Sequence, residues 1–341
     1  MKVSVLDQTQ LMEGMTPEDG FARTVEIARH ADQVGLERYW LSEHHGSAAL
    51  AGSAPEILAA YLLARTERIR IGTGGVMLTH YAPFKVAESF RVMSALAPGR
   101  VDLGIGKAPG GTHLPTILLA GGRSLEDWGP RKTDRFPEMA GELLGYLADG
   151  LPPEHPFSGH LQVSPTVREA PDVWILGTGP SSAQLAAEHG LSYAFAHFIN
   201  SDEEEMAETL GLYTDGWRAA GHAGKPRTIV AMRAFVAGTD DEADWIARSA
   251  LHGQFWTHRG RQVKLPPPEE ALTDVQTEKE RDEIEMIRRS WLIGSADTVQ
   301  KRLDALTEHA PIDEVMAVSP IFDSAKQKRS LELLKEAAAG I

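Results

Sequence analysis

The chain has 341 residues and carries 34 Lys and Arg against 48 Asp and Glu, so its formal net charge is −14. This balance argues against nucleic acid and against an anionic membrane surface as partners, because both need clustered basic side chains. The longest strictly apolar run has eight residues, 57–64, and cysteine is absent, which excludes a transmembrane helix, disulfides, thiolate catalysis and cysteine metal sites.

The first part of the chain predicts three strand–helix pairs and a fourth strand. An acidic residue, Asp7, comes too early for an export signal, so we expect a cytoplasmic protein. Thr16 and Ser53 are predicted to cap the first two helices. The strands are predicted at 3–6, 38–41, 69–72 and 101–105. Helical spacing predicts two inward stripes, Phe21, Val25 and Ala28 in the first helix, and Val86, Phe90, Met93 and Leu96 in the third.

The second part of the chain continues the alternation around two irregular stretches. Residues 106–132 are rich in Gly and Pro and predict a long loop, a length that is typical of a lid. Residues 257–290 form the second stretch, which includes a highly charged helical run. Four further strands are predicted at 173–176, 193–195, 228–236 and 314–318, and helices are predicted to begin near 134, 181, 203, 240, 296 and 324.

Eight short apolar strands that alternate with helices predict an α/β fold, a (β/α)₈ TIM barrel with long insertion loops at the C-terminal face of its strands. Strands of this kind are expected where both faces of a sheet are covered. A doubly wound open sheet is the structural alternative, although no G-x-G-x-x-G opens the first helix. No linker divides the chain, so we expect one domain over residues 1–341.

The active site of such a barrel lies at the C-terminal ends of its strands, where this sequence is rich in histidine. Glu43, His44 and His45 follow the second strand, and an imidazole there can act as an acid, a base or a metal ligand. A histidine that only caps its own loop is the alternative. A metal site has no H-E-x-x-H spacing to support it. Its ligands would come from His44, His45, His80, His197 and Asp7.

Two glycine-rich strand ends predict a site for a flat ligand that carries a phosphate. Residues 177–182 join the fifth strand to a helix, and a helix N-terminus with glycines before it suits a phosphate. Ser181 and Ser182 add hydroxyl groups, and Lys107 can supply a cation. Residues 71–76, Ile-Gly-Thr-Gly-Gly-Val, are mostly small, so they leave room for a flat ligand to lie against the backbone. A plain N-cap and a β-bulge are the alternative interpretations.

Four segments, in this order and spacing, resemble the bacterial luciferase-like flavin monooxygenase family: 40–45, 71–78, 98–106 and 177–187. Residues 291–295 and 313–316 are similar to the family's C-terminal signature, so the resemblance spans essentially the whole chain. It implies a TIM barrel that binds reduced FMN without covalent attachment and receives it from a separate flavin reductase. The flavin would react with O₂ to give a C4a-peroxide that oxidises a small organic substrate.

The resemblance also implies roles for individual residues. His44 matches the family's catalytic histidine, and Glu43 and His45 match its supporting neighbours. Gly74 and Gly75 match a bulge of the third strand against the isoalloxazine ring, often a non-prolyl cis peptide. Lys107 departs from the usual arginine, and Thr178 stands where luciferase has a glutamate, so we expect a different phosphate environment. The implied cofactor-binding positions are Gly74, Gly75, Gly106, Lys107, Thr178, Gly179, Ser181 and Ser182.

Three other functions stay open at this point. An F420-dependent oxidoreductase of the same superfamily is the nearest, a non-catalytic flavin-binding barrel or partner subunit is the second, and a metal hydrolase is the third. The family also implies a homodimer through the helices at about 54–66 and 83–97. The substrate is not predicted, because the stretches 106–132 and 257–290 match no known pattern.

Overall fold

The computed structural model describes residues 1–122, 134–148, 150, 151, 153 and 155–341. The described residues form nine strands: β1 (Lys2–Asp7), β2 (Arg38–Leu41), β3 (Arg70–Met77), β4 (Val101–Gly106), β5 (Asp172–Gly177), β6 (Ser192–Phe195), β7 (Thr228–Ala237), β8 (Leu292–Ser295) and β9 (Glu314–Val318).

Eleven α-helices lie in the same described ranges: α1 (Pro17–Gln33), α2 (Pro55–Leu63), α3 (Pro83–Leu96), α4 (His113–Leu119), α5 (Phe136–Leu147), α6 (Pro180–Glu188), α7 (Glu203–Ala219), α8 (Asp240–Thr257), α9 (Glu278–Arg289), α10 (Ala296–His309) and α11 (Ser324–Ala338). One 3₁₀ turn, Leu78–His80, follows β3. None of the helices described is long and apolar enough to cross a bilayer.

Eight of the strands close into a parallel barrel. Their order is β6-β5-β4-β3-β2-β1-β9-β7, and β7 pairs with β6 to complete the ring. All of the ladders are parallel, as when Val5 of β1 pairs with Tyr39 of β2. The predicted (β/α)₈ barrel is therefore confirmed, and the alternative of an open doubly wound sheet is wrong.

The ninth strand, β8, was missed by the sequence analysis. It pairs with the C-terminal half of β7, from Ala234 to Ala237, which extends beyond the ring. The segment has only four residues and contains Gly294, so its pattern alone does not predict a strand. β8 therefore supplies a pairing partner for the part of β7 that extends beyond the ring at the barrel mouth.

Two predicted stripes are partly wrong. In α1, Ala28 is buried as predicted and Val25 is partly buried against the core, but Phe21 is 38% exposed. The buried face of α1 also includes Thr24 and Ile27. In α3, Val86, Phe90 and Met93 are buried as predicted, but the terminal Leu96 is 74% exposed. A helical period of 3.6 residues predicts that one face of the helix is buried, but it does not decide between neighbouring rows of side chains.

Helix caps follow the sequence where a side chain is well placed. Thr16 accepts a hydrogen bond from the backbone of Asp19, and Asp19 returns one, so the predicted cap of α1 is confirmed. The prediction for α2 is wrong. Its N-cap is Ala54, which has no side-chain capping bond, and Ser53 precedes it.

The two irregular stretches contain more helix than the glycines and prolines suggest. The stretch 106–132 was predicted as a loop, but α4 lies within it, and its last ten residues lie outside the described ones. In the stretch 257–290, α9 confirms the predicted charged helical run. A capping box at Thr277 and Glu280 begins that helix.

The interior of the barrel is apolar next to the ion pairs of Arg38 with Asp102 and Glu314, which lie near the N-terminal ends of the strands. Leu6, Trp40, Trp174, Ile229 and Met316 are among the side chains of the interior cluster. The rings of Trp40 and Trp174 meet edge to face, with centroids 5.5 Å apart. Both tryptophans are almost fully buried, and the cluster closes the barrel below its mouth.

Candidate active site

Two adjacent chambers lie at the C-terminal mouth of the barrel. The large chamber has a volume of about 590 Å³ and the small chamber about 310 Å³. Both volumes are within the range of small-molecule sites. His44, Phe198 and Ile199 line both of them, so His44 stands at the junction.

The large chamber contains most of the residues that the sequence singled out. Leu6, Trp40 and Met316 form its apolar floor. His45 does not line it. The predicted site residues that do line it are Glu43, His44, Gly74, Gly75, Gly106, Lys107, Thr178, Gly179, Ser181 and Ser182.

One wall of the large chamber is bare backbone from β3. The pairing of β3 with β4 shifts its register between Thr73 and Val76, and the Gly74–Gly75 peptide is cis. A Cβ on Gly75 would lie 2.6 Å from the carbonyl oxygen of Gly104, which belongs to the neighbouring strand. Side chains are therefore excluded from this position, and the wall can accept a flat group.

A second wall of the large chamber is formed by the N-terminus of α6. Gly179 is its N-cap and carries no capping side chain, and Pro180 at the first position has no N–H to satisfy. The N–H groups of the first turn are available to an anion. The predicted role of the Ser182 hydroxyl is less direct, because it donates to the carbonyl of Gly179 at 2.8 Å and lies 3.1 Å from the Tyr193 hydroxyl.

Charged groups of both signs line the same chamber as this turn. The Lys107 ammonium lies 3.4 Å from Asp134, and both side chains are about half exposed. Glu205 also lines the chamber and accepts a hydrogen bond of 2.9 Å from Asn200. Asp134, Asn200 and Glu205 were not predicted from the sequence, because the first lies in a loop and the others belong to the segment after β6.

His44 is held in place by Ser42, directly after β2, and by Gly52 in the loop that follows. Its backbone N–H donates to the carbonyl of Gly52 at 2.8 Å, and its Nδ1 lies 3.1 Å from the Ser42 hydroxyl. Burial lowers its pKa to about 4, and the positive charges of Arg233 and His45 contribute. The imidazole is therefore neutral at pH 7. No described residue forms a hydrogen bond with its Nε2, which leaves that nitrogen to a ligand.

Glu43 connects the ends of β2 and β3. Its Oε1 accepts a hydrogen bond of 2.7 Å from Tyr81 and lies 2.7 Å from His45 Nε2. Its Oε2 accepts one of 3.0 Å from the backbone N–H of Met77. A buried carboxylate with these three partners holds the segment after Gly75 in place.

The other histidines of the predicted ring lie outside both chambers. His80 Nε2 is 3.0 Å from the carbonyl oxygen of Pro109. His197 is buried, and its Nε2 has no partner in the described part of the chain. Asp7 accepts hydrogen bonds from Thr24 and Tyr39. Within the described ranges, no three His, Asp or Glu side chains form a group that could hold a metal ion.

The burial of His197 makes folding stability depend on pH. Burial lowers its pKa to about 4, and the positive charge of Arg302 contributes. The unfolded chain takes up this proton near pH 6.5, so stability falls as the pH drops from about 6.5 towards 4. We expect His197→Leu to remove on the order of 2–3 kcal/mol of this loss.

Urea unfolding at pH 7 and at pH 4.5 measures the effect. The matched control is His160→Leu, because His160 is exposed. The control should keep the pH dependence of the parent chain. An equal pH dependence in His197→Leu and in the parent would contradict the prediction.

Known proteins match the chain over nearly its whole length. The family model described as luciferase-like monooxygenase matches residues 1–314. N-acetyl-S-alkylcysteine monooxygenase of Bacillus subtilis (strain 168) is 34% identical over 337 residues, which cover 99% of this chain and 98% of that protein. The crystal structure of apo-MsnO8 has a TM-score of 0.87 and 34% identity, and the match covers 99% of this chain and 98% of that one.

Two more distant structures share the fold alone. The oxygenating constituent of 3,6-diketocamphane monooxygenase from Pseudomonas putida, in complex with FMN, has a TM-score of 0.75 at 22% identity, over 100% of this chain and 98% of that one. An F420-dependent secondary alcohol dehydrogenase has a TM-score of 0.69 at 18% identity, over 98% and 97%. The fold by itself therefore does not distinguish the two cofactors.

Proposed function

The chain belongs to the luciferase-like monooxygenase family, and we propose that it uses reduced FMN, delivered by a separate flavin reductase, and O₂ to oxidise a small organic substrate. The observation that carries this proposal is the large chamber, which is lined both by bare backbone from β3 and by a helix N-terminus without a capping side chain. The family membership itself supports an oxidoreductase of the monooxygenase type.

The residues of the large chamber fit FMN. Gly74 and Gly75 offer a surface without side chains for the ring system. The N–H groups at the start of α6 suit the phosphate, and Lys107 lies along the same chamber. Bound reduced FMN would supply the electrons and the oxygen-activating chemistry.

His44 is the candidate catalytic residue, because it lines both chambers. A neutral imidazole whose Nε2 is free can accept or donate one proton beside a ligand. We propose that Glu43 and His45 act as positioning residues, since they bind each other and His45 lines neither chamber. The apolar floor of the chamber limits the water around the reacting groups.

We also propose that the chain is one domain and forms a homodimer through α2 and α3. These helices expose large apolar side chains, with Ile57 70% and Leu96 74% exposed, and Tyr61 and Val92 at 47% each. Burial of such side chains between two copies would remove apolar surface from water. A cytoplasmic location stays a prediction of the sequence.

The Lys107→Met variant tests the position of the phosphate. We expect its dissociation constant for reduced FMN to rise by about three- to tenfold, a modest factor because Lys107 is half exposed and shared with Asp134. Anaerobic titration followed by flavin absorbance gives the dissociation constant.

Two further variants sharpen this test. Lys85→Met removes an ammonium on α3 that is 73% exposed and does not line the chamber, so it should have no effect. Asp134→Asn should tighten binding, because it frees Lys107. Equal affinities in Lys107→Met and the parent protein would place the phosphate elsewhere.

A further inference from the structure

We propose that Arg233 is a specificity-determining residue that binds a carboxylate of the substrate in the small chamber. This inference rests on the proposed function, because it takes the small chamber as the place of the substrate beside the flavin. It identifies a chemical class of substrate, an organic acid with an apolar portion, that the family membership leaves open.

The position of Arg233 follows from the alternation of β7. Ile229 and Ala231 point into the barrel interior, where they belong to the core cluster. Arg233 is the next residue on that side, and its pairing with Val318 puts it at the last position of β9. Its side chain lines the small chamber at the barrel mouth.

The guanidinium of Arg233 has no anionic partner in the described residues. Its Nε is buried and forms no hydrogen bond there, and its one ring contact is with Trp291, at 5.7 Å from the ring centroid. Burial lowers the pKa of Arg233 to about 10, so the group remains charged at neutral pH. The side chain is partly exposed because it lines the chamber, and its Nε is buried. A largely desolvated charge without a partner is unfavourable, and a ligand carboxylate would supply one.

The two arginines of the described residues that are fully buried, Arg38 and Arg91, bind partners within the chain. Arg38 contacts Asp102 at 2.7 Å and Glu314 at 2.8 Å. Arg91 donates to four backbone carbonyl oxygens, including that of Tyr146 at 2.8 Å. Arg233 differs from both, which indicates that its partner comes from outside the chain.

The rest of the small chamber suits an anion as well. Although the chain has 48 acidic residues, none of those described lines this chamber. Apart from Arg233, its polar side chains are amides, one hydroxyl and two imidazoles: Gln8, Gln10, His44, Gln254, Thr257, His258 and Gln262. The large chamber differs, since Glu43, Asp134 and Glu205 line it.

The apolar part of the proposed substrate has a defined place. Ala49, Leu50, Val263 and Leu265 line the small chamber, and Phe198 lies on the boundary with the large chamber. An Arg–carboxylate pair is directional, because the guanidinium fork matches two carboxylate oxygens. With its carboxylate held by Arg233, the apolar portion of the substrate would extend past His44 towards the large chamber.

Matched ligands of equal shape test the proposal directly. Octanoate and octanamide are titrated calorimetrically into the protein under anaerobic conditions, with and without reduced FMN. We expect octanoate to bind at least about tenfold more tightly than octanamide, because charge-assisted hydrogen bonds exceed neutral ones. Arg233→Met should weaken octanoate binding about ten- to hundredfold and leave octanamide unchanged.

Two variants keep the test interpretable. Arg233→Lys keeps the positive charge but loses the two-pronged geometry of the guanidinium, so it should retain part of the preference for octanoate over octanamide. This variant also covers the case in which Arg233→Met fails to fold. Arg261→Met removes an exposed arginine that does not line the chamber, so it should change neither affinity.

Several outcomes would overturn the proposal. They are an undetectable affinity of the parent protein for octanoate, equal affinities for the two ligands, an unchanged preference in both Arg233 variants, or a loss of reduced FMN binding in Arg233→Met as large as its loss of octanoate binding. If the parent protein prefers octanoate but does not bind reduced FMN, the proposed function fails while the carboxylate site stands.

Discussion

Replacing His44 with Asn is expected to lower the rate of substrate oxidation by about 10²–10⁴-fold, the usual contribution of a positioned acid–base group. Reduced FMN should still bind, because the backbone wall at Gly74–Gly75 and the N-terminus of α6 remain. The loss should therefore appear in kcat. Product formation with reductase-supplied FMN, on a substrate that the parent protein oxidises, gives the rate.

His45→Asn is the matched comparison for this prediction. His45 lies next to His44 in sequence but bonds Glu43 and lines neither chamber. A positioning role predicts a smaller loss, with partial recovery in His45→Gln, which can still donate to Glu43. If His44→Asn turns over at the parent rate, His44 is not catalytic and the interpretation as a non-catalytic flavin barrel returns.

Arg38→Met is expected to destabilise the fold by about 3–5 kcal/mol, because it leaves the buried carboxylate of Glu314 without a cation and leaves Asp102 paired with Arg70 alone. The Arg38 side chain is 3% exposed and lies 2.7 Å from Asp102 and 2.8 Å from Glu314. Burial acts to lower the pKa of Arg38, but the two carboxylates outweigh it and raise that pKa above its ordinary value. Trp40 also donates to Asp102 at 2.8 Å.

Urea unfolding at pH 7 measures this effect. The control is Arg218→Met, since the pair of Arg218 with Asp215 is highly exposed and should contribute less than about 1 kcal/mol. Adding Glu314→Gln to Arg38→Met should restore part of the stability, because the unpaired carboxylate is then absent, whereas Asp102 still has Arg70. A loss in Arg38→Met no larger than in the control would show that water or rearrangement replaces the ion pairs.

Local patterns predicted the barrel, because each strand and helix carries its own signal. The alternation of apolar segments with capped helices leaves few folds that bury both faces of eight short strands. The errors came where the sequence signal of an element was weak, or where two neighbouring faces of a helix were similarly apolar. β8 depends on the extension of β7 beyond the ring, and the choice of the buried face in α1 depends on what packs against it.

The candidate site was predictable from the sequence where it is lined by backbone and not by side chains. Glycines at 74 and 75 and at 177 and 179 indicate room for a ligand, whatever the neighbours are. Side chains were harder, because their partners are distant in sequence. The hydroxyl of Ser182 is engaged by Tyr193, and Arg233 was missed although the alternation Ile229, Ala231, Arg233 places a charge on the inner face of β7.

The most direct test of the proposed function is an anaerobic titration of the protein with reduced FMN, with oxidised FMN and F420 titrated in parallel, followed by the admission of air. We expect reduced FMN to bind most tightly, Lys107→Met to bind it more weakly, and the bound flavin to react with O₂ at a rate different from that of free flavin. Tight binding of F420 without binding of reduced FMN would show that the proposed function is wrong and would assign the protein to hydride transfer.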